Sequence, residues 1–150
     1  MQFEVNAYMP SVESLIDRFG LDKDGRTQKV IDNAFIHFMR LKMPIDSEMM
    51  ILNTRNPEGG LVTVEVPYAH YQNEGILYVD PVYDKGAFHD PISGRFWSRP
   101  NVSKVPSNRP LNYHGGANRG AHFVERTISE NEKDISKIAQ EEVDRLWLIK

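Results

Sequence analysis

The chain contains no cysteine, which excludes disulfides, thiol nucleophiles and thiolate metal sites. It fits a reducing compartment. Long apolar runs are also missing, and nothing approaches the roughly 20 residues that span a bilayer. Met-Gln-Phe-Glu-Val-Asn-Ala-Tyr-Met-Pro at the start has neither a basic nor an apolar region of signal-peptide type. No membrane partner is expected. Catalytic signatures are scarce too: there is no phosphate-binding Gly-x-x-x-x-Gly-Lys, no Gly-x-Ser-x-Gly elbow and no His-Glu-x-x-His. An excess of positive charge is lacking, since the net charge is −3, so a surface built wholly for nucleic acid is excluded. What remains is 150 residues, 40% hydrophobic and 26% charged, the size and balance of one globular domain.

Phe3, Val5 and Ala7 alternate with polar neighbours, which predicts a short edge strand ended by Pro10. Ser11 is placed to cap a helix with the face Val12, Leu15, Ile16 and Phe19, and Gly20 to close it. Asp24 is read as the cap of a second helix, Arg26 to Lys42, striped by Val30, Ile31, Ala34, Phe35, Phe38 and Leu41 and stopped near Pro44. Met49–Thr54 and Leu61–Val66 read as strands of an antiparallel hairpin around Arg55–Gly60, with Val62, Val64 and Val66 inward. A short helix within 67–75 and a strand at 76–79 follow. From about Ala121 to Leu148 neither Gly nor Pro occurs. Val124, Ile128, Ile135, Ile138, Ala139, Val143 and Leu146 form a helical stripe there, with Trp147 near its end. The polar interval Ser129–Asp134 leaves two readings: a C-terminal half that protrudes toward a partner, or a long surface helix. The sum is an α+β fold: a small, mostly antiparallel sheet packed by two long amphipathic helices.

Residues 84–120 stand apart. They show no sustained periodicity and are thick with Pro and Gly, yet they carry Phe88, Phe96, Trp97 and Tyr113. Long loops of this kind in compact domains are usually functional. Six cations (Lys85, Arg95, Arg99, Lys104, Arg109, Arg119) against two anions (Asp84, Asp90) give the segment +4, leaving −7 on the rest of the −3 chain. A basic aromatic arm on an acidic body suits contact between copies. The alternative is that it folds back on its own body. With Tyr83 beside it, the contact candidates are Tyr83, Phe88, Arg95, Phe96, Trp97, Arg99, Arg109 and Tyr113, aromatic and arginine side chains being the usual anchors of interfaces.

Other constellations admit chemical readings. His70, His89, His114 and His122 with nearby acids could be assembled into a metal site on paper, but the spacing matches no ligand pattern. Tyr68, His70, Tyr71, Glu125 and Arg126 could be drawn as an acid–base set. Gly115–Gly120 before a helix could hold an anion or act as a hinge. No metal, cofactor or catalytic residue is assigned. A nucleic-acid module using the arm is the second reading of function.

Two short motifs, Val66-Pro67-Tyr68-Ala69-His70-Tyr71-Gln72-Asn73-Glu74-Gly75 and Ala121-His122-Phe123-Val124-Glu125-Arg126, follow a helix and a hairpin in order. In that order and spacing the chain resembles the minor capsid, or neck, proteins of long-tailed bacteriophages, the group related to head–tail joining and tail-completion proteins. The resemblance implies a structural virion protein without enzymatic activity. It would form a six- or twelve-fold ring around the DNA channel, between portal-side head-closure proteins and the tail terminator, after assembly in the host cytoplasm. It also makes Pro67, Tyr68, Tyr71, Gly75, Phe123 and Arg126 fold-defining. The tyrosines would pack the short helix, Gly75 turn the chain, Phe123 enter the core and Arg126 bond a nearby carboxylate or carbonyl.

Overall fold

The computed structural model describes residues 10–45 and 48–149. The strand expected at Phe3–Ala7 lies outside them. The elements run α1 (Val12–Phe19), α2 (Arg26–Lys42), α3 (Met49–Leu52), β1 (Thr54–Glu58), β2 (Leu61–Val64), α4 (Ala69–Glu74), β3 (Ile76–Val79), β4 (Phe88–His89), β5 (Phe96–Trp97), β6 (Val105–Pro110) and α5 (Phe123–Leu148). The fold is α+β, with α2 and α5 packed along each other. The β-structure is antiparallel throughout the described residues but divided into three two-stranded ladders, β1–β2, β3–β6 and β4–β5.

Helix α1 begins as its sequence dictates. Ser11 Oγ accepts from Ser14 N at 3.2 Å, and Gly20 closes the helix at φ +57°. Helix α2 has the expected bounds, but Asp24 does not cap it. Gly25 holds that position without a side-chain bond. Gly20 O instead accepts from Thr27 N and Gln28 N, and Thr27 Oγ1 donates to Phe19 O at 2.5 Å. At its far end the exposed carbonyls are met by residues distant in sequence. Arg119 Nη1 donates to Arg40 O at 2.8 Å and Met43 O at 2.6 Å, and Gly120 N donates to Lys42 O.

The buried face of α2 is broader than the expected stripe. Ala34 is buried and Val30, Ile31, Phe35 and Phe38 are half-buried as expected, but Ile36 and Met39 are buried as well and Leu41 is 49% exposed. The core collects Met39, Met43, Met50 and Phe123, with Val62, Val64 and Val66 half-buried against it. Methionine suits this place because its unbranched chain fills the irregular space where two helices and a hairpin meet.

Met49–Leu52 is helical rather than extended, because Thr54 Oγ1 and Asn53 Nδ2 bond back to Met50 O and Met49 O and close the turn. The hairpin β1–β2 is then bolted to α2 by one buried carboxylate. Asp32 accepts from Gln28 Nε2, Asn56 Nδ2 and Gly60 N. The C-terminal half of α5 does not protrude. Phe19 stacks on Trp147 at 5.7 Å, and Arg26 pairs with Glu142 at 2.7 Å, so the half lies against α1 and the start of α2.

Candidate interaction surface

Gly75, which ends the first motif, and Ala121, which begins the second, are 46 residues apart in the chain, and the two motifs form one joint. Asn73 organises it. Its backbone O accepts from His122 N at 2.7 Å, its Oδ1 from Val124 N at 3.2 Å, and its Nδ2 donates to both oxygens of Glu125. This supplies from α4 the N-terminal cap that His122 does not provide for α5. Gly75 closes α4 at φ +78°, and a Cβ there would lie 2.5 Å from that of Ala121. Phe123 is 2% exposed in the core. Arg126 bonds both a carboxylate and a carbonyl, Glu130 Oε1 at 3.1 Å and Asn118 O at 3.1 Å. Tyr68, at the N-cap of α4, and Tyr71, within it, are exposed rather than packed in the core; Tyr71 packs on Tyr78 at 4.5 Å.

Residues 99–120 dock on the body of their own chain, the second of the two expectations for the arm. Strand β6 pairs with β3, and Ser107 Oγ donates to Leu77 O at 2.6 Å. Asp80, only 3% exposed, is the clasp. It accepts from Arg99 Nε at 2.6 Å and Nη2 at 2.8 Å, and also from Val82 N and Tyr83 N. The Arg99 guanidinium beside it holds the Asp80 carboxyl far below the ordinary carboxylate range. Arg109 donates to Asp84, and Tyr113 Oη donates to Gln72 O at 2.7 Å. Arg99, Arg109 and Tyr113 therefore have partners within the chain, although the Arg109 side chain stays half exposed. The Gly115–Gly120 loop is tied to α2 at its end, where the Gly120 amide donates to Lys42 O and the Arg119 guanidinium to Arg40 O and Met43 O. Sequence reasoning missed Asp80 and Asn73, whose roles depend on partners 19 residues or more away.

The hairpin between Asp80 and Arg99 carries the remaining candidates. Asp90 turns the chain by accepting from Ile92 N at 3.0 Å and Ser93 Oγ at 2.6 Å, with Gly94 at φ +70°. Phe88 stacks on Trp97 at 4.7 Å, Tyr83 meets Phe88 edge-on at 5.5 Å, and His89 packs on Phe96 at 4.9 Å. This cluster has no core beneath it. Phe96 is 73% exposed and Ile92 97%. Beside the hairpin's base runs a groove of about 630 Å3, lined by Tyr68, Tyr71, Ile76, Leu77, Tyr78 and Leu111, with Lys104 also on its wall.

Among the described residues no group of three or more His, Asp or Glu side chains is arranged to hold a metal. His70 pairs with Glu74 at 2.8 Å, while Glu125 and Arg126 have the partners given above. No helix of the described residues is long and apolar enough to cross a membrane. The class these features define is a small α+β body presenting a clasped aromatic hairpin beside a groove of mixed polarity lined by three tyrosines. Set against known protein families, curated proteins and solved structures, the chain matches none.

Acid should loosen the structure in a definite way. Hydrogen bonds from Arg99 to Asp80, Ser93 to Asp90, Lys42 to Glu130 and Arg145 to Glu142 each lower the carboxyl pKa on folding. A lowered folded pKa adds stability that is complete above the unfolded value, about 4, and is lost as pH falls through the folded one. Thermal melting should therefore hold between about pH 7 and 5 and drop below about pH 4. In Glu142→Gln the acid limb should be shallower. A melting temperature unchanged down to about pH 2 would contradict this.

Proposed function

We propose that this chain is a structural subunit of the neck of a tailed bacteriophage particle. It assembles as a ring that joins portal-side head-completion proteins to the tail terminator. The observation that carries the proposal is the joint between the two motifs. The segments on which the resemblance rests cap and pack one another through Asn73, Gly75 and Phe123, so they make one structural unit. The exposed aromatic hairpin adds a surface suited to subunit contact, because aromatic side chains flanked by arginine give large contact area at low entropic cost. The nucleic-acid reading draws less support, since Arg99, Arg109 and Arg119 are engaged within the chain.

The test is the mass of the protein in solution by light scattering, alone and after mixing with the portal-side and tail-side proteins of the same particle. A closed ring, alone or on mixing, is the expected result. A 17.3 kDa monomer that ignores those proteins would remove the proposal.

A further inference from the structure

We infer that the tyrosine-lined groove beside α4 binds an extended segment of a partner protein, in which proline and other apolar residues are followed by acidic side chains. This goes beyond the ring reading and does not depend on it. The groove, of about 630 Å3, carries the rings of Tyr68, Tyr71 and Tyr78, the last two packed at 4.5 Å. Tyrosine offers a large amphipathic contact area with few torsions to freeze. Rings along a groove are the surface on which polyproline-like segments pack. Such a segment brings unpaired backbone N–H and C=O groups with it. The groove can meet them. Tyr78 Oη is engaged by Glu74, but the hydroxyls of Tyr68, Tyr71 and Ser103 and the side-chain amide of Gln72 have no partner among the described residues.

Charge selects the ligand. Among the described residues the groove is lined by the cation Lys104 and by no carboxylate. A smaller cavity of about 10 Å3 adjoins it, sharing Gly86, Val102 and Lys104 and adding Lys85, Arg99 and Asp80. Its one carboxylate is saturated, since Asp80 accepts from Arg99 Nε and Nη2, Val82 N and Tyr83 N. Lys85 and Lys104 pair with no carboxylate among the described residues. Lys104 Nζ donates to Gly86 O, which leaves it two further N–H groups. The smaller cavity has room for about one water, so an anion drawn by the lysines sits at the Lys104 end of the groove. On the α4 side Glu74 is taken up by Tyr78 and His70. The positive field is therefore confined to one end. A nucleic-acid strand carries a phosphate at every nucleotide and calls for cations along its whole path. A peptide with acidic residues at one end calls for them only there.

The test is fluorescence anisotropy of a rhodamine-labelled probe, Pro-Pro-Leu-Pro-Pro-Glu-Glu, titrated with the whole protein. An amidated C-terminus leaves the glutamates as its only carboxylates. The expected result is saturable binding that weakens at least about tenfold when lysines replace both glutamates of the probe. Lys104→Glu should invert that preference and bind the lysine probe more tightly. Tyr71→Ala should weaken the acidic probe at least about fivefold, while Lys133→Glu, exposed on α5, should leave it unchanged. Each variant is first checked for a wild-type melting temperature. Lys104 is exposed, so its charge reversal decides the matter even where Tyr71→Ala disturbs the fold. Equal binding of the two probes, binding indifferent to Lys104→Glu, or no binding up to about 1 mM probe would overturn the inference. Tighter binding of labelled oligo-dT than of the acidic probe would overturn it too, by assigning the groove to nucleic acid. The ring reading is judged separately by the mass of the unmodified protein.

Discussion

Phe123→Ala should lose about 3–5 kcal/mol of unfolding free energy, the range for truncating a buried phenylalanine. Phe123 is 2% exposed and is the only aromatic among the fully buried side chains described; Met39, Met43 and Met50 surround it. The loss combines missing transfer energy with the cavity left behind. Methionines can move inward and recover part of it, which favours the lower end of the range. Small domains hold about 5–15 kcal/mol in total, so the variant should sit near the edge of folding. Denaturant titration gives the number, and Phe123→Leu should lose much less because it keeps most of the volume. The residue also begins α5 at the joint with α4. If Phe123→Ala unfolds only the β-ladders while the α2–α5 pair persists, the core does not unfold as one cooperative unit.

Gly59→Ala is expected to cost at least about 2 kcal/mol, a large effect for one added methyl on a loop. A Cβ on Gly59 would lie 1.3 Å from Lys23 O and 2.5 Å from Lys23 C, both backbone atoms that cannot rotate away. The hairpin tip would have to leave the α1–α2 loop. That would break the Lys23–Glu58 pair at 2.8 Å and pull Gly60 N from Asp32, whose buried carboxylate would lose a donor. Gly60→Ala is the control. Its position has φ +77° but no close neighbour except the end of the Gln28 side chain at 3.8 Å, so it should cost only the left-handed strain, about 1–2 kcal/mol. Equal losses in the two variants would mean that close approach is not what fixes Gly59.

Much of the helical framework was legible because its causes are local. Ser11 and Gly20 bracket α1 as their capping chemistry requires, and α2 runs between its expected bounds. The short helix before Gly75 and the α5 segment were legible for the same reason. Where a local signal had a distant competitor, it failed. Asp24 has the right chemistry to cap α2, but the Gly20 carbonyl takes the amides at that end. Met49–Leu52 has the composition of a strand, but the side chains just after it fold back onto its carbonyls. Leu41 has the right period for the core but stays half exposed, while Ile36 and Met39, off the expected stripe, are buried.

The candidate surface divides in the same way. The sequence by itself marked the aromatics of 83–97 as unusual and determined that they share a short segment with turn formers at 90–94. It determined helix bounds, charge distribution and the order of the two motifs, because these depend on neighbours within a few residues. Only the tertiary structure decided that Arg99 closes on Asp80, that Arg119 caps α2, and that Asn73 caps α5 from another element. It also decided which basic residues of the segment are spent inside the chain. Those pairings satisfy polar groups that burial would otherwise strand, and which group meets which is set by how the helices and ladders close on each other, not by spacing along the chain.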